Sequence, residues 1–122
     1  MKILLADDER SIAVTLGDAL RGAGHAVTVV PDGEQALQAL QVDTFDCVIS
    51  DIRLPKADGL KVLRSAKELN PSSRVILITA YASVEDAVAA IKDGAEDYIQ
   101  KPFFNDDVLV RLKRLERLRS LE

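Results

Sequence analysis

The sequence predicts an α/β fold: a three-layer (βα)5 doubly wound sandwich about a five-stranded parallel sheet of order 2-1-3-4-5. Three observations point to it. Strand-like and helical patterns alternate from one end of the 122-residue chain to the other. Three of the strand-like runs, Ile3-Leu4-Leu5-Ala6, Cys47-Val48-Ile49-Ser50 and Val75-Ile76-Leu77-Ile78, are continuously apolar, as expected when helices cover both faces of a parallel sheet. Each run then meets a side chain capable of chemistry: Asp7 and Asp8 after the first, Asp51 after the second, Thr79 after the third, and Lys101 after the short run Asp97-Tyr98-Ile99. In an open parallel sheet the carboxyl ends of the strands share one edge, where ligands bind.

The elements follow in order. The first strand precedes Asp7. A helix carries Ile12, Leu16, Ala19, Leu20 and Ala23 at helical spacing and is stopped by Gly22-Ala23-Gly24. Ala26 to Val30 reads as the second strand. Asp32 caps the next helix, with Gln35 three residues on as its capping-box partner, ahead of Ala36, Leu37 and Leu40. After the third strand, Leu60, Leu63 and Ala66 mark a helix that Asn70-Pro71 ends. After the fourth, Val84, Ala87, Val88 and Ile91 form an apolar stripe between a Ser83 cap and a Gly94 stop. Asn105 is expected to cap the last helix, where Val108, Leu109, Leu112 and Leu115 hold one face. Leu118 and Leu121 continue at a spacing of three and rotate off that face, at ~100° per residue.

Bulk properties narrow the function. The length suits a single domain, residues 1–122, with 115–122 expected as a helix extension or the start of a linker to an output domain outside the chain. A solvated helix end is the alternative. A net charge of −4 speaks against direct nucleic-acid binding. No apolar stretch approaches the ~18 residues that span a membrane, and no basic, apolar leader precedes the first strand. A cytoplasmic location is the expectation. The single cysteine, Cys47, lies in an apolar strand and reads as a buried structural thiol.

The chemistry follows from the strand ends. Carboxylates brought together repel, so a cation is required, and hard oxygen donors of this kind suit Mg²⁺. With its charge neutralised, Asp51 becomes a nucleophile toward phosphorus. Phosphoryl transfer then needs positive or hydrogen-bonding partners for the equatorial oxygens, and Mg²⁺, the Lys101 ammonium and the Thr79 hydroxyl supply them. Singly, each residue has an ordinary reading: a turn-forming Asp, acids at a helix start, a strand Thr, a surface Lys. Their shared register makes the chemical reading the better one.

The stretches Leu5-Ala6-Asp7-Asp8-Glu9, Ser50-Asp51-Ile52-Arg53-Leu54-Pro55 with Asp58-Gly59, Thr79-Ala80 and Tyr98-Ile99-Gln100-Lys101-Pro102-Phe103 resemble the signature of response-regulator receiver (CheY-like) domains. The likeness is greatest to receivers of NtrC-type, sigma-54-dependent transcription activators. It covers essentially the whole chain. It implies the flavodoxin-like fold, with Asp51 as phosphoacceptor and Asp7, Asp8, Asp51 and the Arg53 backbone carbonyl as the Mg²⁺ site. It also implies a sensor histidine kinase as donor and a cis peptide before Pro102. Catalytic roles pass to Asp51, Thr79 and Lys101, and a switch role to Thr79 and Tyr98. No separate organic cofactor is implied, and the protein is a signalling phosphoacceptor that catalyses only its own phosphorylation and dephosphorylation. A homodimer through the face of the fourth helix, fifth strand and fifth helix is expected, helped by Leu115, Leu118 and Leu121. Arg53 and Tyr81 are the positions expected to set the rate of phosphoryl loss. Lys56-Ala57 stands where relatives often carry Gly-Met.

Rival readings lack their residues. A haloacid-dehalogenase-type phosphatase needs a second acid two positions after the nucleophile, where Arg53 stands. A flavodoxin-like electron carrier needs a phosphate loop after the first strand, and a dinucleotide-binding domain needs G-x-G-x-x-G after a strand; neither is present. A degenerate receiver is opposed by the intact Asp8, Asp51, Thr79 and Lys101.

Overall fold

The chain alternates strand and helix throughout: β1 (Lys2–Ala6), α1 (Arg10–Gly22), β2 (Ala26–Val30), α2 (Gly33–Val42), β3 (Cys47–Asp51), α3 (Gly59–Leu69), β4 (Arg74–Thr79), α4 (Val84–Lys92), β5 (Asp97–Gln100) and α5 (Asn105–Ser120). This computed structural model describes residues 1–80 and 83–120. All strand pairs are parallel and the sheet order is β2-β1-β3-β4-β5, as the sequence predicts.

The apolar strands are continuous because alternate side chains enter two separate cores. Ile3, Leu5, Cys47, Ile49, Ile76 and Ile78 pack on one face with Leu16 and Leu20 of α1 and Val108, Leu112 and Leu115 of α5. Leu4, Ala6, Val48, Val75 and Leu77 pack on the other with Ala36 and Leu40 of α2, Val62, Leu63 and Ala66 of α3, and Ala90 of α4. Three layers result. Burial drives the Cys47 thiol pKa far up, which leaves it inert.

Asp32 and Ser83 cap their helices as the sequence predicts, and Asp58 caps α3 as well. Asp32, Asp58 and Ser83 each accept the backbone N–H three residues on, from Gln35, Lys61 and Asp86. At Asp32 the return contact differs from a full capping box, because the Gln35 amide reaches the Asp32 carboxylate at 3.4 Å.

Three expectations are revised. Asn105 is the first residue of α5 rather than the residue before it. Leu115, expected in an extension beyond the sheet, is 8% exposed and belongs to the core. Leu118 is 49% exposed, and Leu121 lies outside the described residues. The third revision concerns α4, whose stripe is real but faces outward. Val84, Val88 and Ile91 are exposed, and Ala90 is the buried residue. At ~100° per residue, Ala90 sits about a third of a turn from the middle of the stripe. A narrow alanine face lets α4 lie close to the sheet, and the bulkier ridge is left in solvent.

Candidate functional site

The register of the sheet brings the predicted residues together. Ala6 pairs with Ser50, so Asp7 and Asp51 leave neighbouring strands side by side. Asp51 pairs with Ile78, which puts Thr79 one residue further along β4, and Thr79 pairs with Gln100 beside Lys101. The Lys101 N–H donates to the Thr79 carbonyl at 2.8 Å. Asp7, Asp51, Thr79 and Lys101 are all buried, whereas Asp8 is exposed at the rim. The Lys101–Pro102 peptide is cis, as the resemblance implies.

Lys101 is the hub. Its Nζ lies 2.7 Å from Asp51 Oδ2, 2.8 Å from Glu9 Oε1 and 3.2 Å from Asp7 Oδ2. Burial works against its charge, yet the hydrogen bonds to Asp51 and Glu9 prevail and hold the ammonium well above the usual lysine range. Burial raises the Asp7 carboxyl pKa, although the Glu9 N–H and Lys101 oppose the shift. Asp51 Oδ1 accepts the Arg53 N–H at 3.0 Å, and Asp7 Oδ1 accepts the Glu9 N–H at 2.9 Å. The turn after β3 is held tightly: the Gly59 N–H donates to the Ile52 carbonyl at 2.7 Å, and a Cβ on Gly59 would stand 2.3 Å from the Asp51 carbonyl oxygen.

The donor set fits Mg²⁺. Asp7, Asp8 and Asp51 each offer an oxygen within 4.8 Å of the others. Asp7 Oδ2 is buried and has no hydrogen bond, since Lys101 approaches it at ion-pair distance without the alignment of one. A buried carboxylate oxygen left so is an acceptor awaiting a cation. Beside these acids an open cleft is lined by Arg53, Leu54, Pro55, Asp58 and Asp86, with Asp8 at its edge.

Other predicted residues lie apart. The Arg53 side chain is exposed, and the Arg53 backbone N–H is what meets Asp51 Oδ1. Tyr98 already packs its ring against the core on the α2–α3 side. Its hydroxyl is buried beside the Ser83 backbone and Asp86, with no well-aligned hydrogen bond to a described residue. Burial, and after it the Asp86 charge, pushes the phenol pKa up. Tyr81 lies outside the described residues. Glu9 is the residue that sequence reasoning passed over. Its signal was present, as a third consecutive acid after β1, but its ion pair spans 92 residues of sequence, a separation that local pattern does not reveal.

A family model described as the response regulator receiver domain matches residues 3–113. The transcriptional regulatory protein ZraR of Escherichia coli K12 is 41% identical over 112 residues, 92% of this chain and 25% of that protein. The DNA-binding transcriptional regulator NtrC of the same organism is 39% identical over 112 residues, 92% of this chain and 24% of that protein. The chain therefore spans about a quarter of the length of these curated relatives. Among solved structures, a CheY-like response regulator receiver domain protein from Methanospirillum hungatei JF-1 superposes with a TM-score of 0.93 at 30% identity, covering 99% of this chain and 98% of that one.

Proposed function

This chain belongs to the response-regulator receiver domains of two-component systems, and from that premise we propose that it takes a phosphoryl group from a sensor histidine kinase onto Asp51, with Mg²⁺. Phosphorylation would then switch the α4-β5-α5 face to control a transcriptional output. The observation that supports this most is the Lys101 ammonium 2.7 Å from Asp51 Oδ2, with Asp7 and Asp8 alongside.

Asp7, Asp8, Asp51 and the Arg53 carbonyl would hold Mg²⁺, which when bound supplies charge neutralisation for an incoming phosphate. An Asp51 oxygen forms the new bond to phosphorus. The P–N bond of the donor phosphohistidine breaks, its electron pair stays on the imidazole nitrogen, and that nitrogen takes a proton. Lys101 shifts from Asp51 to a phosphoryl oxygen, and the Thr79 hydroxyl donates to another. Because Tyr98 is already turned inward, the switch we propose is a capture of its buried hydroxyl when the Thr79 strand end moves. The domain promotes its own phosphorylation and dephosphorylation and acts on no other substrate.

The proposed partners are the kinase and a second copy of this chain. Val84, Val88 and Ile91 leave an apolar ridge on α4, and an Arg111–Asp97 ion pair of 2.7 Å joins α5 to β5. At roughly 1.5–3 kcal/mol per fully buried side chain, such a ridge supports a weak symmetric dimer. A cytoplasmic setting and an output domain joined through the end of α5 belong to the same reading. Among the described residues, no helix is long and apolar enough to cross a membrane.

Intact-mass measurement tests the assignment. Acetyl phosphate with Mg²⁺ should add one phosphoryl group, and EDTA should prevent it. Stoichiometric uptake by Asp51→Asn at neutral pH would refute it.

A further inference from the structure

The family premise gives Lys101 one task, to receive a phosphoryl oxygen. In the structure its ammonium is already divided among three carboxylates. The contact with Glu9, at 2.8 Å, is nearly as short as that with Asp51, at 2.7 Å. Glu9 differs from the others in place. The Asp7 side chain is 0% exposed and that of Asp51 7%, whereas the Glu9 side chain is 52% exposed. Of the three carboxylates on Lys101, that of Glu9 is the one open to solvent.

We propose that Glu9 is a latch on Lys101, a positioning residue that holds the ammonium in its resting pose and must release it when an anion arrives at Asp51. Two consequences of opposite sign follow. As a fourth carboxylate beside Asp7, Asp8 and Asp51, Glu9 strengthens attraction for a divalent cation. As a competitor for Lys101 and a further negative charge beside it, it weakens the hold on a phosphoryl group. Glu9 is fixed for this role by its own backbone, since its N–H donates to Asp7 Oδ1 at 2.9 Å. The turn that positions a metal-site acid thus also aims the latch. The inference rests on Asp51 being the phosphoacceptor.

Two calorimetric titrations of the full chain test it, one with Mg²⁺ alone and one with beryllofluoride at saturating Mg²⁺. A unit charge removed at this range in a solvated site changes cation affinity about threefold to tenfold. Glu9→Gln should therefore bind Mg²⁺ about that much more weakly, and beryllofluoride at least about threefold more tightly. A merely structural role would weaken both. Glu9→Asp separates the latch from its charge: it keeps the negative charge but, one methylene shorter, gives up the contact with Nζ. It should bind Mg²⁺ like the parent and beryllofluoride more tightly. Parent-like beryllofluoride binding by Glu9→Asp, or losses of both ligands in Glu9→Gln, would overturn the latch. If the parent protein itself binds no beryllofluoride and gains no phosphoryl mass, it is the phosphoacceptor reading that fails.

Discussion

The Pro55 carbonyl accepts the Gly33 N–H at 3.0 Å. The loop that follows β3 is thereby hung on the first residue of α2, and the two backbones touch. A Cβ on Gly33 would stand 1.8 Å from the Ala57 carbonyl oxygen.

Gly33→Ala should therefore force the 53–58 loop away from α2. Overpacking of this kind costs about 1–3 kcal/mol, and here the obstacle is backbone, which yields less than a side chain. Urea unfolding should show the lower midpoint. Mg²⁺ affinity should fall as well, because the displaced loop carries the Arg53 N–H that orients Asp51. Unaltered metal binding would show that the loop and α2 are uncoupled.

Lys56 has a φ of 72°, a left-handed conformation without a glycine. The strain of a non-glycine residue there is ~1–2 kcal/mol, and glycine gives back ~0.5–1 kcal/mol in unfolded-chain entropy. The Lys56–Asp32 pair at 3.8 Å, with Lys56 59% exposed, contributes ~0–1 kcal/mol. Lys56→Gly should thus raise stability by about 0.3 kcal/mol, measured as the urea midpoint at unchanged slope.

Ile91 is 67% exposed at the C-terminal end of the outward ridge of α4. Ile91→Glu should leave thermal stability within ~0.5 kcal/mol, as surface substitutions do, and should abolish any concentration-dependent dimer in sedimentation. A dimer that survives the change would place the contact elsewhere.

His25 gives the fold a pH dependence of known sign. Its Nδ1 faces the Met1 amino group at 2.9 Å, and its Nε2 lies 3.6 Å from Glu116. Burial, and then the neighbouring ammonium, lowers its pKa below the ordinary 6.5, against the pull of Glu116. The unfolded chain binds this proton more readily, so the contribution is fully present above pH 6.5 and is lost as the pH falls toward the folded value. His25→Gln should flatten the stability profile between about pH 7 and 5. A slope unchanged by the substitution would assign that dependence to other groups.

Strand order, helix positions and the meeting of Asp7, Asp8, Asp51 and Lys101 were legible in the sequence because each rests on local pattern and on the geometry of parallel sheets. What was not legible depends on which of two apolar faces a helix turns inward. On α4, Ala90 and the Val84-Val88-Ile91 stripe both have helical spacing, and only the room above β4 and β5 chooses between them. Leu115 was placed at the start of an extension for a related reason, since the reach of the α1–α5 core along α5 is a tertiary quantity. Glu9 was hidden by the length of chain that separates it from Lys101. The inward ring of Tyr98 depends on packing against the core on that face of the sheet, which no sequence spacing encodes.

The hydrogen bond from the Lys101 N–H to the Thr79 carbonyl has a bearing on mutational epistasis. The two groups that would meet a phosphoryl oxygen are not separate parts, because a displacement of either backbone is carried to the other across one ladder bond. Substitutions at Thr79 and Lys101 are therefore expected to be non-additive, the second change finding part of its damage already done. Sequence variation at these two positions would be constrained as a pair, and a lineage that loses one has less to lose by surrendering the other.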